Sequence, residues 1–207
     1  MRRSSRKIGM RSIHVLVVSC VAFLCCVFAI FEADAGVLDF ASYKSDWFDP
    51  TRFEFRAGGL VSFEGPERGT GDISLMIVLP KLYIFAPPSL PDVYVPRIQF
   101  GGMFNLDSRT SFGHADLLWT INLTRQWFWE PFVGINVHNG QLDGPSPKLS
   151  SLGCRALVHA GANVGYRLSP DWSVMFTLDH SSNGNSISGC STNQSLNLIG
   201  VRVGRSM

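Results

Sequence analysis

The chain predicts an all-β fold, an eight-stranded antiparallel up-and-down β-barrel of the outer-membrane kind. Three observations predict it. Eight runs of roughly ten residues alternate apolar and polar side chains. Their polar faces carry Gly, Asn, His and single charges rather than many Lys and Glu, which suits a narrow polar lumen. Trp119, Trp127, Trp129, Tyr166 and Trp172 fall near run ends, where interfacial girdles belong. A soluble sandwich or barrel also alternates, but its polar face would be studded with Lys and Glu.

The runs follow a leader. Arg2, Arg3, Arg6, Lys7 and Arg11 form a basic start, and Val15 to Phe31 is an uncharged apolar run of 17 residues. Ala33-Asp34-Ala35 then offers small residues for cleavage, so residues 1–35 read as a signal peptide and 36–207 as one barrel domain. The alternative is an uncleaved anchor, at the short limit for a span. Cleavage would remove five of the 18 basic residues and two of the 16 acids, leaving the remainder close to neutral. That balance gives no electrostatic footprint for nucleic acid.

Residues 36–52 are mixed and read as an N-terminal segment, a short helix or a plug. In the first run Phe53, Phe55, Ala57, Val61 and Phe63 oppose Glu54, Arg56 and Ser62. The second spans Ile73 to Phe85. The third, Val93 to Leu106, sets Ile98, Phe100 and Phe104 against Arg97, Gln99 and Asn105. The fourth, Phe112 to Leu123, sets Leu117 and Ile121 against His114, Asp116 and Asn122. The fifth, Trp127 to Val137, sets Val133 and Ile135 against Glu130 and Asn136. The sixth, Leu152 to Leu168, sets Val158, Ala160 and Val164 against Arg155, His159, Asn163 and Arg167. Trp172 to Asn183 and Ser195 to Arg205 complete the set.

Connector lengths orient the barrel. Thr124–Gln126 and Ser169–Asp171 are short; residues 140–150 and 184–193 are long. Short turns face the periplasm and long loops the exterior. The end of the seventh run therefore lies at the external rim.

There the chain reads Asp179-His180-Ser181-Ser182-Asn183-Gly184. His180 and Ser182 are two apart on a strand and share a face with Trp172, Val174, Phe176 and Leu178. A base and a hydroxyl on an apolar, lipid-facing surface point to nucleophilic chemistry on a lipid. Such chemistry needs a nucleophile, a base, a group orienting the base and donors for an oxyanion. Ser182 is the candidate nucleophile and His180 the base. Asn197, the only amide on the matching face of the last run, is the orienting group. Asn183 and nearby backbone N–H groups are the oxyanion candidates. The competing reading is a polar loop start without chemistry.

The string His180-x-Ser182-Asn183-Gly184, with Asn193-Gln194-Ser195-Leu196-Asn197 and the terminal Gly200 and Val201-Arg202-Val203-Gly204, resembles the PagL-type lipid A 3-O-deacylases. Leu152-Gly153-x-Arg155 and Gly165-Tyr166 resemble that family as well. The resemblance implies an outer-membrane esterase that removes the 3-O-linked acyl chain of lipid A. It implies Ser182 as nucleophile, His180 as base, and Asn183 and Gly184 as oxyanion-hole elements. It implies no cofactor. The implied partners are lipid A or lipopolysaccharide, the outer membrane of a Gram-negative bacterium and, as a candidate, a second copy of the chain. The family's glutamate falls at Asn197, and no acid follows Asp179, which points to the opposite face. The 184–192 loop is longer than the family's usual, and the chain ends Arg205-Ser206-Met207 rather than in an aromatic. Two rival readings stay open. One is a non-catalytic structural or adhesive outer-membrane barrel; the other is a soluble periplasmic barrel with an apolar ligand.

Cys154 and Cys190 are the cysteines beyond the leader, and the topology puts both at the external end, as a disulfide or as two thiols. His114, His138 and His159 fall on lumen parity and read as network members. The sequence holds no His-x-x-x-His or Cys-x-x-Cys spacing, and no metal site is expected. Glu130, Arg155, Arg167 and Asp116 are expected to pair inside the barrel.

Overall fold

The structure of the protein is a computed structural model that describes residues 43–87, 89–184, 190 and 194–207. The expected leader and residues 36–42 lie outside the described residues. Eight antiparallel strands close on themselves. They are β1 (Glu54–Ser62), β2 (Gly71–Lys81), β3 (Arg97–Asn105), β4 (Phe112–Leu118, resumed at Ile121–Asn122), β5 (Trp127–His138), β6 (Ala156–Arg167), β7 (Trp172–Ser182) and β8 (Leu196–Ser206). Each pairs with the next, and β1 pairs with β8 to remove the last edge.

The gap in β4 has a local cause. Leu118 faces Phe132 and Ile121 faces Trp129, so one register runs through both pieces. Trp119 donates its N–H to the Pro131 carbonyl at 3.1 Å. Proline has no N–H to return, and the ladder lapses for two residues.

Three predicted ends differ. Tyr83–Phe85 and, from Val93, the start of the third run were read as strand; the structure has 3₁₀ turns there (Tyr83–Phe85 and Asp92–Tyr94), within a connector carrying Pro87, Pro91 and Pro96, which cannot donate to a ladder. This connector is long yet sits at the end with the short turns. It is pinned by Lys81 Nζ, which donates to the Asp92 carbonyl at 2.6 Å and to Asp92 Oδ2 at 2.7 Å. Burial pushes the Asp92 carboxyl up, but hydrogen bonds from Lys81 and Tyr83 outweigh it and hold the group below its ordinary value. At the other end, β6 starts at Ala156 rather than Leu152. Leu152 and Gly153 donate to Gln141 and Leu142 of their own loop, and Gly153 takes a left-handed φ of 78°. Arg155 is therefore exposed instead of lumen-facing, and it braces the His138 and Gly140 carbonyls.

Burial is inverted relative to a water-soluble protein. Outward side chains are apolar and exposed, among them Ile135 at 60%, Phe176 at 52% and Val201 at 48%. Inward ones are polar and buried, among them Arg202, Glu130 and Asn163. A continuous exposed apolar wall is a liability in water and the requirement in hydrocarbon. No helix among the described residues is long and apolar enough to cross a membrane; the strands form the wall. The aromatic residues expected at run ends all gather at the short-turn rim, where Trp127 and Tyr166 stack edge to face.

The lumen is filled. Arg56 binds Glu130 at 2.7 Å and Glu54 at 2.8 Å, and Arg97 also reaches Glu54. Glu130 thus pairs with Arg56 rather than with Arg155 or Arg167, and Arg167 donates to Asn122 at 2.7 Å. Gly134 is needed where the wall meets this network, since a methyl group there would lie 2.5 Å from Asp116 Oδ1. At the periplasmic mouth, the 43–53 segment is not helical. It inserts the Phe48 ring among Lys81, Arg97 and Arg167 as a plug.

The external end is closed differently. Leu60, Met103, Phe112, Leu152, Leu157, Leu196 and Leu198 form an apolar layer. Beside it the fully buried Glu67 carboxylate accepts from Thr110 N–H at 3.0 Å, Thr110 Oγ1 at 2.7 Å and Ser150 N–H at 3.0 Å. One carboxylate so ties three external loops together. Replacing Glu67 with alanine strands these buried donors and should cost about 2–4 kcal/mol. Tryptic cleavage after the exposed Lys148 should become faster while the barrel persists; an unchanged nicking rate would contradict the role.

Candidate active site

β7 leaves the membrane wall at its external end with even-numbered residues facing out, so His180 and Ser182 lie outside while Asp179 and Ser181 lie inside. The β7–β8 register sets His180 directly opposite Asn197, and the β6–β7 register sets Ala160 and Val158 beside His180 and Ser182. The three predicted residues meet. His180 Nε2 lies 3.0 Å from Ser182 Oγ, and His180 Nδ1 lies 2.6 Å from Asn197 Oδ1. Asp179 is turned away, paired with Arg202 at 2.6 Å.

A fourth residue joins them. Asn197 Nδ2 donates to Glu64 Oε2 at 2.9 Å and to Ser195 Oγ at 3.1 Å. Glu64 follows β1 and is carried into place because Phe63 N–H donates to the Asn197 carbonyl at 3.1 Å, one rung past the β1–β8 ladder. Sequence reasoning missed Glu64. Its only trace is its position at the end of an alternating run, and the register across the barrel's closing seam cannot be read from that run.

The amide orientation fixes the imidazole. A carboxylate only accepts, so it must face Asn197 Nδ2. Asn197 Oδ1 then faces His180 Nδ1, which must carry the proton, and Nε2 is left with a lone pair toward the Ser182 hydroxyl. This is the tautomer a general base requires.

The expected oxyanion elements are placed less directly. Asn183 is buried, and its Nδ2 donates to the Leu152 carbonyl at 3.0 Å. Its side chain is therefore turned to the loop before β6, not to Ser182, and what it offers an oxyanion is backbone N–H. Gly184 has a φ of 68°, the left-handed turn by which the chain quits the ladder. Cys154 and Cys190 are joined, their Cα atoms 5.9 Å apart, tying the loop before β6 to the loop after β7.

Within the lumen, His114, Asp116 and His159 gather donor atoms within 4.8 Å of one another, a set that could hold a metal ion. Each imidazole Nδ1 already meets one Asp116 oxygen, at 2.6 Å and 2.8 Å, so the carboxylate bridges the two rings, while the Nε2 atoms of His114 and His159 are buried without a hydrogen-bond partner. His138 instead bonds the Cys154 carbonyl.

The family model described as Lipid A 3-O-deacylase (PagL) matches residues 117–206. No curated protein matches the chain. Among solved structures, the crystal structure of the outer membrane enzyme PagL aligns with a TM-score of 0.57 at 11% identity, over 74% of this chain and 99% of that one. The N-terminal β-barrel domain of Pseudomonas aeruginosa OprF aligns at 0.51 with 13% identity, over 76% of this chain and 98% of that one. A de novo designed transmembrane β-barrel aligns at 0.50 with 13% identity, over 77% and 98%. At such identities the structural likenesses speak for the outer-membrane barrel fold alone. The family match covers β5 to β8 and with them His180, Ser182 and Asn197. Over residues 117–206, somewhat under half of its length, the chain is similar to the PagL family, on a fold shared with outer-membrane barrels.

Proposed function

We propose that the protein is an outer-membrane esterase of a Gram-negative bacterium that removes the 3-O-linked acyl chain of lipid A by a serine–histidine mechanism. The observation that carries the reading is a hydroxyl 3.0 Å from an imidazole nitrogen on the outer, hydrocarbon-facing wall. The family match supports the substrate class.

The substrate's acyl chain lies along Phe176, Leu178, Ile199 and Val201, which share the outward face with the pair. Ser182 Oγ attacks the ester carbonyl while His180 Nε2 takes its proton. Backbone N–H groups of Asn183 and Gly184 meet the oxyanion. The imidazolium then protonates the departing 3-oxygen of the sugar. Water, deprotonated by His180, releases the fatty acid from Ser182. No step calls for a cofactor.

The test is mass spectrometry of lipid A from cells making the wild type, Ser182→Ala or His180→Ala. Loss of one 3-hydroxyacyl chain with the wild type alone is expected. Identical spectra from all three would replace this reading with a structural or adhesive barrel.

A further inference from the structure

We propose that Glu64 is the site's carboxylate, acting on His180 through the Asn197 amide as a positioning residue. This rests on the esterase reading for its activity arm only. A Ser–His pair needs a partner that holds the Nδ1–H tautomer and favours the positive charge the imidazole gains. An asparagine is ambiguous in the first role, because either end of its amide can face the ring, and weak in the second. Here Glu64 removes the ambiguity. Its oxygen can only accept, so Asn197 Nδ2 is drawn to it, and Oδ1 is turned to His180 at 2.6 Å. Ser195 Oγ accepts the second Nδ2 hydrogen and reinforces the same orientation. The negative charge also polarises the amide, which makes Oδ1 a better acceptor for a charged ring.

The residues come from three places in the chain: the turn after β1, the end of β7 and the start of β8. They meet only because the barrel closes β1 against β8. Glu64 touches neither Ser182 nor the ester; it works on a tautomer equilibrium.

The test pairs Glu64→Gln and Glu64→Ala with Asn197→Asp in full-length protein. Glu64→Gln keeps the shape but adds a donor and removes the charge. It should lose roughly tenfold in kcat with little change in KM, at least as much as Glu64→Ala. A packing role would instead leave the isosteric Glu64→Gln near wild type. With Asn197→Asp the sign reverses. Two carboxylates then crowd one another, and adding Glu64→Gln should raise activity because the introduced amide donates to the introduced carboxylate. The ring is read directly by ¹⁵N NMR of histidine-labelled protein. Wild type should show the Nδ1–H form of His180, and Glu64→Gln should populate the Nε2–H form. An unchanged His180 tautomer in Glu64→Gln, or a Glu64→Gln that retains wild-type activity, would overturn the proposal. If the wild type fails to deacylate lipid A, the esterase reading falls, and the tautomer measurement still decides the role of Glu64.

Discussion

Alanine at His180 or at Ser182 should each lower lipid A deacylation by at least about 10³-fold, and the double replacement should lower it no further. In the proposed mechanism the two residues act as one unit. Without Nε2, 3.0 Å from Ser182 Oγ, the hydroxyl has no acceptor for its proton. Without the hydroxyl the base has no nucleophile to activate. Independent contributions would multiply in the double variant, so an additive loss in single-turnover assays would break the nucleophile–base assignment. Neither replacement should disturb the barrel, because both side chains sit on its outer surface beyond the packed lumen. Heat-modifiable gel mobility should match the wild type.

Asp179→Ala is expected to do the reverse, attacking the barrel itself. Asp179 is the carboxylate that Arg202 binds at 2.6 Å, with both side chains buried. Thr177 Oγ1 also donates to Asp179 at 2.9 Å, and His159 lies close by. Alanine leaves a buried guanidinium without its counter-charge, at a cost of about 3–5 kcal/mol. The temperature of the heat-modifiable mobility shift should fall clearly. Replacing Arg202 with methionine at the same time should recover part of the loss, since the stranded charge is then gone. A shift temperature unchanged in Asp179→Ala would mean that the lumen pair does not hold the barrel closed.

The position of Asp179 next to His180 shows what a single strand can and cannot tell. Alternation alone separated them correctly: odd residues of β7 turn to the lumen and even ones to lipid. The same alternation placed Asn197 opposite the imidazole once β7 and β8 were taken as neighbours. Alternation overran the connector of Pro87, Pro91 and Pro96, whose missing N–H groups it does not weigh, and the fourth run's interruption came from Pro131 on the facing strand, which no one-dimensional pattern registers. The direction of the Asn183 side chain was not legible either, because the Leu152 carbonyl that takes its amide is 31 residues away. Glu64 was invisible for the same reason. It is separated from Asn197 by 133 residues and is brought near only by the closing seam. Residues whose partners lie on the adjacent strand were legible, and those whose partners cross loops or the seam were not.

The interior ion pairs have a consequence for permeation. Arg56, Glu130, Arg202 and Asp179 occupy the axis that in a porin would be an aqueous conduit. Side chains locked together across that axis do not offer solutes the passage a porin provides, so the barrel is expected to be a poor conductor when reconstituted in a planar bilayer.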